Sequence, residues 1–364
     1  MHQVNAALQA AVASYVEPLL ATTLGQAGAL DAAAAAGSRL RVELTLGFPV
    51  GGYEETLRAG LGAHLEGQGL RLPLDLVLKS RVPAFVGNRS VAALPGIANV
   101  VAVASGKGGV GKSTVAANLA LALARQGARV GLLDADIYGP SQPRMMGLSG
   151  QRPTAPDGKT LEPPVSHGVK VMSIGFLIDE EQPMVWRGPM VSQALTQLLT
   201  GTRWGELDYL IVDMPPGTGD TQLTLAQRVP LSGAVIVTTP QDIALLDARK
   251  GLMMFRKVEV PVLGIVENMS VHVCPECGHA SHIFGAGGGR EMAARYGVEL
   301  LGELPLELAI REQADGGCPT VAAAPDSQAG LAYQAIARRA AAALARAAAG
   351  GAAAFPKITI EDEQ

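Results

Sequence analysis

Short apolar segments alternate with helical patterns from residue 99 onwards. The apolar segments are predicted as buried strands at 100–104, 129–134, 169–174, 209–213, 234–239, 262–267 and 299–301. Helical patterns lie near residues 115–126, 190–200, 220–228, 243–257 and 288–296, and an alanine-rich helix over 326–349 follows them. Strands that alternate with helices predict an α/β domain with a doubly wound, mostly parallel sheet.

The first 82 residues have a different pattern. It predicts a helix near residues 4–12, a strand over 40–46, a helix over 53–65 and a strand over 70–78. Pro73 lies inside the last run, which indicates an edge strand because proline cannot donate to a ladder. We therefore expect a small α+β domain over residues 1–82.

The remaining boundaries follow from composition and length. A chain of 364 residues exceeds the usual size of one hydrophobic core. Prolines and glycines predict a linker over residues 83–98. The larger domain is expected over residues 99–349, and residues 350–364 are expected to form a flexible acidic tail.

A glycine-rich stretch after the first strand of the larger domain carries its chemistry. It fits the pattern G-x-x-x-x-G-K-[ST] and consists of Gly106, Lys107, Gly108, Gly109, Val110, Gly111, Lys112, Ser113 and Thr114. Its glycines let backbone N–H groups turn inward around phosphate. Lys112 is expected to reach the β- and γ-phosphates, and the Ser113 hydroxyl to bind Mg²⁺. The larger domain is thus predicted to be a P-loop NTPase.

The second lysine of the loop, Lys107, indicates a dimer. A lysine directly after the first glycine resembles the deviant phosphate loop of the ParA/MinD and nitrogenase iron-protein group. In that group this lysine crosses the interface to the partner's nucleotide. A cation delivered in this way would stabilise the transferring phosphoryl group only when two subunits meet.

Carboxylates end two of the predicted strands. Asp213 follows an apolar run, as a magnesium-site aspartate should, and Asp134 and Asp136 end the second strand. The carboxyl ends of parallel strands face the ligand crevice. We expect Asp213 and Asp134 near Mg²⁺, and Asp136 to orient the attacking water, with Lys107 and Lys112 as its catalytic partners.

Asn268 ends another central strand and bears on the choice of base. An asparagine amide can pair with the adenine edge through its donor and its acceptor. The sequence has no N-K-x-D guanine-reading motif. ATP is therefore the expected nucleotide.

Cys274 and Cys277 form a C-x-x-C pair late in the chain. Two thiolates are half of the four ligands that an iron–sulfur cluster or zinc normally takes. A homodimer could supply the other two across its axis, His279 and His282 could complete a zinc site in one chain, or the pair could be a redox dithiol. The first alternative agrees with the dimer that Lys107 indicates.

The composition of the chain bears on its expected partners and cellular location. The formal net charge of −4 gives no reason to expect a nucleic-acid partner, and no apolar run approaches a membrane span. Three cysteines do not make a disulfide framework, so a reducing, cytoplasmic location is expected.

Taken together, these motifs resemble the Mrp/ApbC family of iron–sulfur cluster carrier ATPases. The resemblance rests on the phosphate loop, on residues 134–141, 186–190, 213–220 and 267–270, and on the two cysteines. It implies a homodimer that assembles a labile [4Fe–4S] cluster on Cys274 and Cys277 and passes it to apo-proteins. ATP hydrolysis would be coupled to loading or release, and scaffold proteins would donate the cluster.

Two further expectations accompany this resemblance. Residues 1–82 resemble more loosely the small iron–sulfur-assembly domain that often precedes such ATPases, although the turn at residues 47–52 has no cysteine. The alternative function is a positioning ATPase of the ParA/MinD kind, which binds DNA or membrane. Such a protein needs a basic patch or an amphipathic terminal helix, and the alanine-rich last helix and acidic tail offer neither.

Overall fold

The computed structural model describes residues 2–85, 91–177 and 188–353. Its contacts divide the chain into two compact units, Met1–Pro83 with Ala341–Gln364, and Ala84–Ala340. Part of the predicted linker, residues 186 and 187 of the predicted motif, and most of the predicted tail lie outside the described residues. No helix in the described ranges combines the length and apolarity needed to cross a bilayer.

The elements follow one another in this order. The first unit begins with α1 (His2–Ala13), β1 (Val16–Glu17), β2 (Thr22–Thr23), β3 (Leu30–Ala36), β4 (Arg39–Leu46), α2 (Glu54–Gly67) and β5 (Leu74–Ser80). Then come β6 (Val100–Ala104), α3 (Lys112–Arg125), β7 (Val130–Asp134), α4 (Gln142–Met145), β8 (Val165–Ser166), β9 (Val169–Ser173), a 3₁₀ turn (Ile174–Phe176), α5 (Gly188–Gly201) and β10 (Tyr209–Asp213). The series continues with α6 (Asp220–Arg228), β11 (Gly233–Thr238), α7 (Asp242–Lys257), β12 (Val262–Glu267), β13 (His272–Val273), β14 (Ala280–Ser281), α8 (Gly288–Tyr296), β15 (Leu300–Glu303), α9 (Leu308–Asp315), α10 (Thr320–Ala323) and α11 (Gln328–Ala353).

The smaller unit contains a three-stranded sheet in the order β3-β4-β5. Strand β4 alternates buried and exposed residues, as its sequence predicts. Strand β5 lies at an edge and begins just after Pro73, whose carbonyl accepts from the Leu40 N–H at 2.9 Å. The leucines at 70 and 72 therefore precede the strand. Strand β3, mostly alanine, pairs with β4 although alanine has little strand preference.

The larger unit is built on an eight-stranded sheet in the order β15-β12-β11-β6-β10-β7-β9-β8. Every neighbouring pair is parallel except β8 and β9. Strands β6, β7, β10 and β11 are buried at every position, which explains their continuous apolar sequences. The predicted doubly wound, mostly parallel α/β fold is confirmed. Because β6 lies between β10 and β11, the loop after it opens near the middle of the sheet.

The structure divides the C-terminal region differently from the predicted domain limits. Helix α11 continues through Ala353, and its residues from Ala341 belong to the unit that contains the N-terminal residues. Within that unit the Arg346 guanidinium donates to the Leu19 carbonyl. The domain limits that the sequence predicts, residues 1–82 for the smaller domain and 99–349 for the larger, stay predictions.

A buried asparagine holds the alanine-rich helix α3 to α10. The Asn118 side chain is fully buried, its Nδ2 donates to the Thr114 carbonyl at 2.9 Å, and its Oδ1 accepts from the Val321 N–H at 2.8 Å. Alanine side chains pack closely but make no polar contacts, so Asn118 fixes where α10 lies on α3.

Replacing Asn118 should destabilise the larger unit. Asn118→Leu leaves the Val321 N–H buried without an acceptor, and we expect the free energy of unfolding to fall by about 1–3 kcal/mol in urea denaturation. Thr200→Ala, on an exposed surface of α5, should change it by less than about 0.5 kcal/mol. Equal effects of the two substitutions would contradict this assignment.

Candidate functional site

The phosphate loop joins the end of β6 to the start of α3. Gly109 and Gly111 have φ values of 81° and 82°, which side chains rarely adopt. Gly111 is the N-terminal cap of α3, and no side chain caps the helix there. The first N–H groups of α3 are therefore available to an anion, and the helix dipole favours one.

Lys112 lies over the end of β10. Its Nζ makes an ion pair with the Asp213 carboxylate and also donates to the Ser113 hydroxyl at 3.2 Å. Lys112 is 6% exposed and Asp213 is fully buried. The structure thus brings together the lysine, the serine and the aspartate that the sequence predicts for phosphate and Mg²⁺.

Gln142 joins this group and was missed by the sequence analysis. Its Nε2 donates to the second Asp213 oxygen at 2.8 Å and to the Ser113 carbonyl at 3.0 Å. It directly follows the predicted motif at residues 134–141, which is the only signal that points to it. Gln142 joins the segment after β7 to the phosphate loop.

Asp134 is fully buried at the end of β7 and accepts hydrogen bonds from its own loop. Its oxygens accept from the backbone N–H groups of Asp136, Ser141 and Gln142, at 3.2, 3.0 and 3.0 Å. The Ser173 hydroxyl donates to it at 3.1 Å. Asp134 therefore shapes the loop that carries Asp136, and its predicted place near Mg²⁺ stays a prediction.

Asp136 is half-buried and lines the cavity above the phosphate loop. This cavity has a volume of about 280 Å³ and is also lined by Lys107, Lys112, Ser113 and Ser141. Burial, and to a lesser extent the charge of Asp213, raises the pKa of Asp136, while Lys112 opposes this. A carboxylate with a raised pKa is a better base, which suits the predicted water-orienting role.

Lys107 and Asn268 both contact residues outside their own segments. The Lys107 Nζ donates to Gln241 Oε1 at 3.3 Å. The Asn268 Nδ2 donates to the Val110 carbonyl at 2.9 Å, and a side chain at Gly111 would meet that same nitrogen. Asn268 thus holds the backbone of the phosphate loop at Val110, and its predicted contact with adenine stays a prediction.

Donor chemistry at the loop fits a magnesium nucleotide. Mg²⁺ prefers hydroxyl, carboxylate and water oxygens, and Ser113 and Asp136 supply such oxygens around one cavity. Asp213 is buried next to Lys112 and Ser113, where Lys112 and Gln142 donate to its two oxygens. Within the described residues, the buried Ser141 Oγ and Gln142 Oε1 have no hydrogen-bond partner. Unsatisfied polar atoms beside a phosphate site are expected where a ligand completes the network.

The cysteine pair occupies the tip of a small hairpin, β13–β14. The Cys274 N–H donates to the His279 carbonyl, and the Gly278 N–H donates to the Cys274 carbonyl, both at 2.9 Å. Cys277 is exposed and Cys274 is half-buried. The backbone N–H groups of Cys277 and Glu276 lower the pKa of the Cys274 thiol. The thiolate is the form that binds metal.

The alternative single-chain zinc site has no support in the described part of the chain. No group of three or more His, Cys, Asp or Glu side chains there is arranged to hold one metal ion. The His282 Nδ1 lies 2.7 Å from the Ser270 carbonyl, at the base of the hairpin. The pair also lies in a hairpin turn, whereas a thioredoxin-like dithiol lies at a helix N-terminus.

The doubly wound sheet and its phosphate loop define a P-loop NTPase. A family profile described as ParA, NUBPL iron-transfer P-loop NTPase, matches residues 96–341. The chain belongs to this family, and the predicted relationship to iron–sulfur cluster carrier ATPases of the ParA/MinD-like group is confirmed.

Curated relatives agree with the family. An iron–sulfur cluster carrier protein of Pseudomonas fragi is 66% identical over 254 residues, which cover 69% of this chain and 88% of the relative. A carrier of the same description from Escherichia coli K12 is 50% identical over 333 residues, or 92% of this chain and 90% of the relative. The mouse iron–sulfur cluster transfer protein NUBPL is 56% identical over 246 residues, or 67% and 77%.

Solved structures agree on the fold. A nucleotide-binding protein of Archaeoglobus fulgidus in complex with ADP aligns with a TM-score of 0.55 and 43% identity, over 61% of this chain and 87% of that one. The cell division ATPase MinD of Pyrococcus furiosus aligns with a TM-score of 0.52 and 23% identity, over 66% and 97%. The second match shows a shared fold only.

The burial of Asp134 should make the free energy of unfolding depend on pH. Burial and the Asp213 charge raise the pKa of Asp134 to about 7, whereas the pKa of an aspartate in the unfolded chain is about 3.9. The folded protein therefore holds this proton more tightly, and ionising the carboxyl costs stability increasingly as the pH rises between those values. In urea denaturation, the free energy of unfolding should fall from about pH 5 to about pH 8 less steeply for Asp134→Asn than for the wild type.

Asp157 is the matched control. The Thr160 hydroxyl and the Thr160 and Lys159 N–H groups hold the pKa of this exposed carboxyl well below its usual range. Asp157→Asn should therefore keep the wild-type slope over the same pH interval. An Asp134→Asn slope equal to that of the wild type would show that Asp134 does not titrate there.

Proposed function

We propose that this protein is an ATP-hydrolysing carrier that holds a [4Fe–4S] cluster between two copies of itself and transfers it to apo-proteins. The observation that carries the proposal is an exposed hairpin with two cysteines in a chain that also has a phosphate loop. Relatives that cover most of the chain are named iron–sulfur cluster carrier proteins. A cluster takes four thiolates, and two subunits related by a two-fold axis would supply two each.

The nucleotide site supports hydrolysis of ATP. The N–H groups of the loop and the Lys112 ammonium hold the phosphates, and Asp136 orients a water toward the γ-phosphorus. The water oxygen bonds to that phosphorus and gives a proton to the Asp136 carboxylate, while the bond from the phosphorus to the β-phosphate oxygen breaks, which gives ADP and phosphate. Ser113 and Asp213, with Asp134 behind them, would hold Mg²⁺, which neutralises phosphate charge when bound. The Lys107 ammonium of one subunit stabilises the phosphoryl group bound to the other.

The partners and location follow from this cycle. Scaffold proteins load the paired hairpins, and recipient proteins remove the cluster. Thiolates stay reduced and able to accept iron in the cytoplasm, which is the compartment we propose. Adenine recognition by Asn268 belongs to the same proposal: within the described residues its Oδ1 accepts one hydrogen bond, from the adjacent Met269 N–H at 3.0 Å.

Substitution of the cysteines tests whether Cys274 and Cys277 bind the iron–sulfur cluster. After reconstitution without oxygen, the wild type should hold about two irons per chain as a dimer, because four irons are shared by two chains. Cys274→Ala and Cys277→Ala should each lose this iron, measured by metal and sulfide analysis with size-exclusion chromatography. Cys318→Ala, at a half-buried cysteine outside the hairpin, should retain it. Iron binding by both hairpin variants at the wild-type level would refute the proposed cluster site.

Mixing two inactive variants tests the dimer. Lys107→Ala and Lys112→Ala should each reduce ATP hydrolysis about a hundredfold or more, because each removes a cation from the transferring phosphate. In a mixed dimer, the Lys112→Ala subunit supplies its Lys107 to the nucleotide bound by the partner, whose own Lys112 is unchanged. An equimolar mixture should therefore recover about a quarter of the wild-type rate, since half of the dimers form one working site of two. A mixture as inactive as its components would refute the exchange of Lys107.

A further inference from the structure

Gln241, which the proposed function does not use, contacts the lysine that would cross to the partner. Its Oε1 accepts from the Lys107 Nζ at 3.3 Å. Gln241 also lines a second cavity, of about 530 Å³, between α7 and the loop before α8. The Lys107–Gln241 hydrogen bond therefore joins the nucleotide cavity to a cavity that is lined in part by the loop after the cysteine hairpin.

The backbone on either side of Lys107 packs closely against its surroundings. A side chain at Gly106 would come within 2.1 Å of the Asp247 carbonyl carbon, so the loop presses directly on the backbone of α7. The Ser105 hydroxyl donates to the Lys107 carbonyl at 2.9 Å. Lysine has several freely rotating bonds, and its contact with Gln241 selects one position among them.

Helix capping does not explain a glutamine at position 241. Gln241 is the N-terminal cap of α7, where Ser, Thr, Asp and Asn are favoured because their short side chains reach the helix N–H groups. The Gln241 side chain makes no capping hydrogen bond. Its described polar contact is with Lys107 instead.

Pro240, the residue before Gln241, packs against the segment that follows the cysteine hairpin. A side chain at Gly285 would lie 3.7 Å from the Pro240 Cβ, and one at Gly288 would lie 3.1 Å from the Pro240 carbonyl oxygen. That segment begins directly after β14, the second strand of the hairpin. Movement of the hairpin would therefore reach Pro240 through packed backbone, and Gln241 through the next peptide bond.

We propose that Gln241 is a positioning residue that holds Lys107 on its own subunit and releases it when the hairpin loop shifts. This rests on the proposed function, because it concerns when Lys107 reaches the partner's nucleotide. While the hydrogen bond is made, the fraction of subunits with Lys107 available to the partner is small. Breaking it raises that fraction, and the rate of hydrolysis rises in proportion.

ATP hydrolysis by the full-length protein, prepared without oxygen and free of cluster, tests the contact. Gln241→Leu removes the acceptor and should raise kcat about threefold to tenfold, while KM stays within about twofold because the phosphate contacts remain. Gln241→Glu accepts with a full charge and should lower kcat by a similar factor. Asp242→Asn, at the next residue of α7, should leave both constants within about twofold.

A double variant separates positioning from a merely structural effect. In a Lys107→Ala background, Gln241→Leu should change kcat by less than about 1.5-fold, because the group on which it acts is gone. The proposal is overturned if Gln241→Leu leaves kcat unchanged in the wild-type background. It is equally overturned if the same increase persists without Lys107.

The link to the hairpin is tested by adding the cluster. Loading should raise the wild-type kcat by about twofold or more and should leave Gln241→Leu unchanged, since Lys107 is already released there. Equal stimulation of both proteins would refute the link while the carrier function stands. Protein that binds no iron would refute the carrier function, whereas the contact would still be judged from the cluster-free kinetics.

Discussion

The ion pair between Lys112 and Asp213 is the interaction on which the nucleotide site depends. Both groups are almost completely removed from water, and a buried charge is costly unless a partner and hydrogen bonds compensate it. Gln142 occupies the second Asp213 oxygen, and Asp134 holds the segment that delivers Gln142. The parallel sheet brings these strand ends together, and the charges in turn fix the loops above it.

This arrangement explains which parts could be predicted from the sequence. The phosphate loop and the fully buried strands were predictable, because local glycine spacing and continuous apolar runs determine them. Strand β3 was not, since its alanines form a strand only when β4 pairs with them. The roles of Gln142 and Gln241 could not be predicted for a related reason. Their contacts join residues far apart in the chain, and a single glutamine carries no local pattern that signals them.

The contact made by Asn268 could not be predicted from the sequence either. Asn268 follows β12, which lies next to the edge strand β15 and is not central as the sequence suggested, and its position in the sequence did not determine what its amide touches. In the structure the amide supports the loop backbone at Val110. Together with the Gly106 contact to α7, this gives the phosphate loop close contacts with two other segments, the end of β12 and helix α7. The Lys107 side chain, by contrast, contacts Gln241 through one hydrogen bond.

The hairpin that bears the cysteines is attached at its base and free at its tip. The His272 Nδ1 lies 2.9 Å from the Leu306 carbonyl, and the Ser270 N–H donates to the Leu304 carbonyl, also at 2.9 Å. The base of the hairpin is thus held by hydrogen bonds between protein groups. Zinc fingers differ, because their fold forms only when the metal is bound. Under the proposed function, a hairpin held by these contacts would keep its fold whether or not a cluster is bound. A carrier of this kind would give up its cluster repeatedly without becoming a substrate for chaperones or proteases between deliveries.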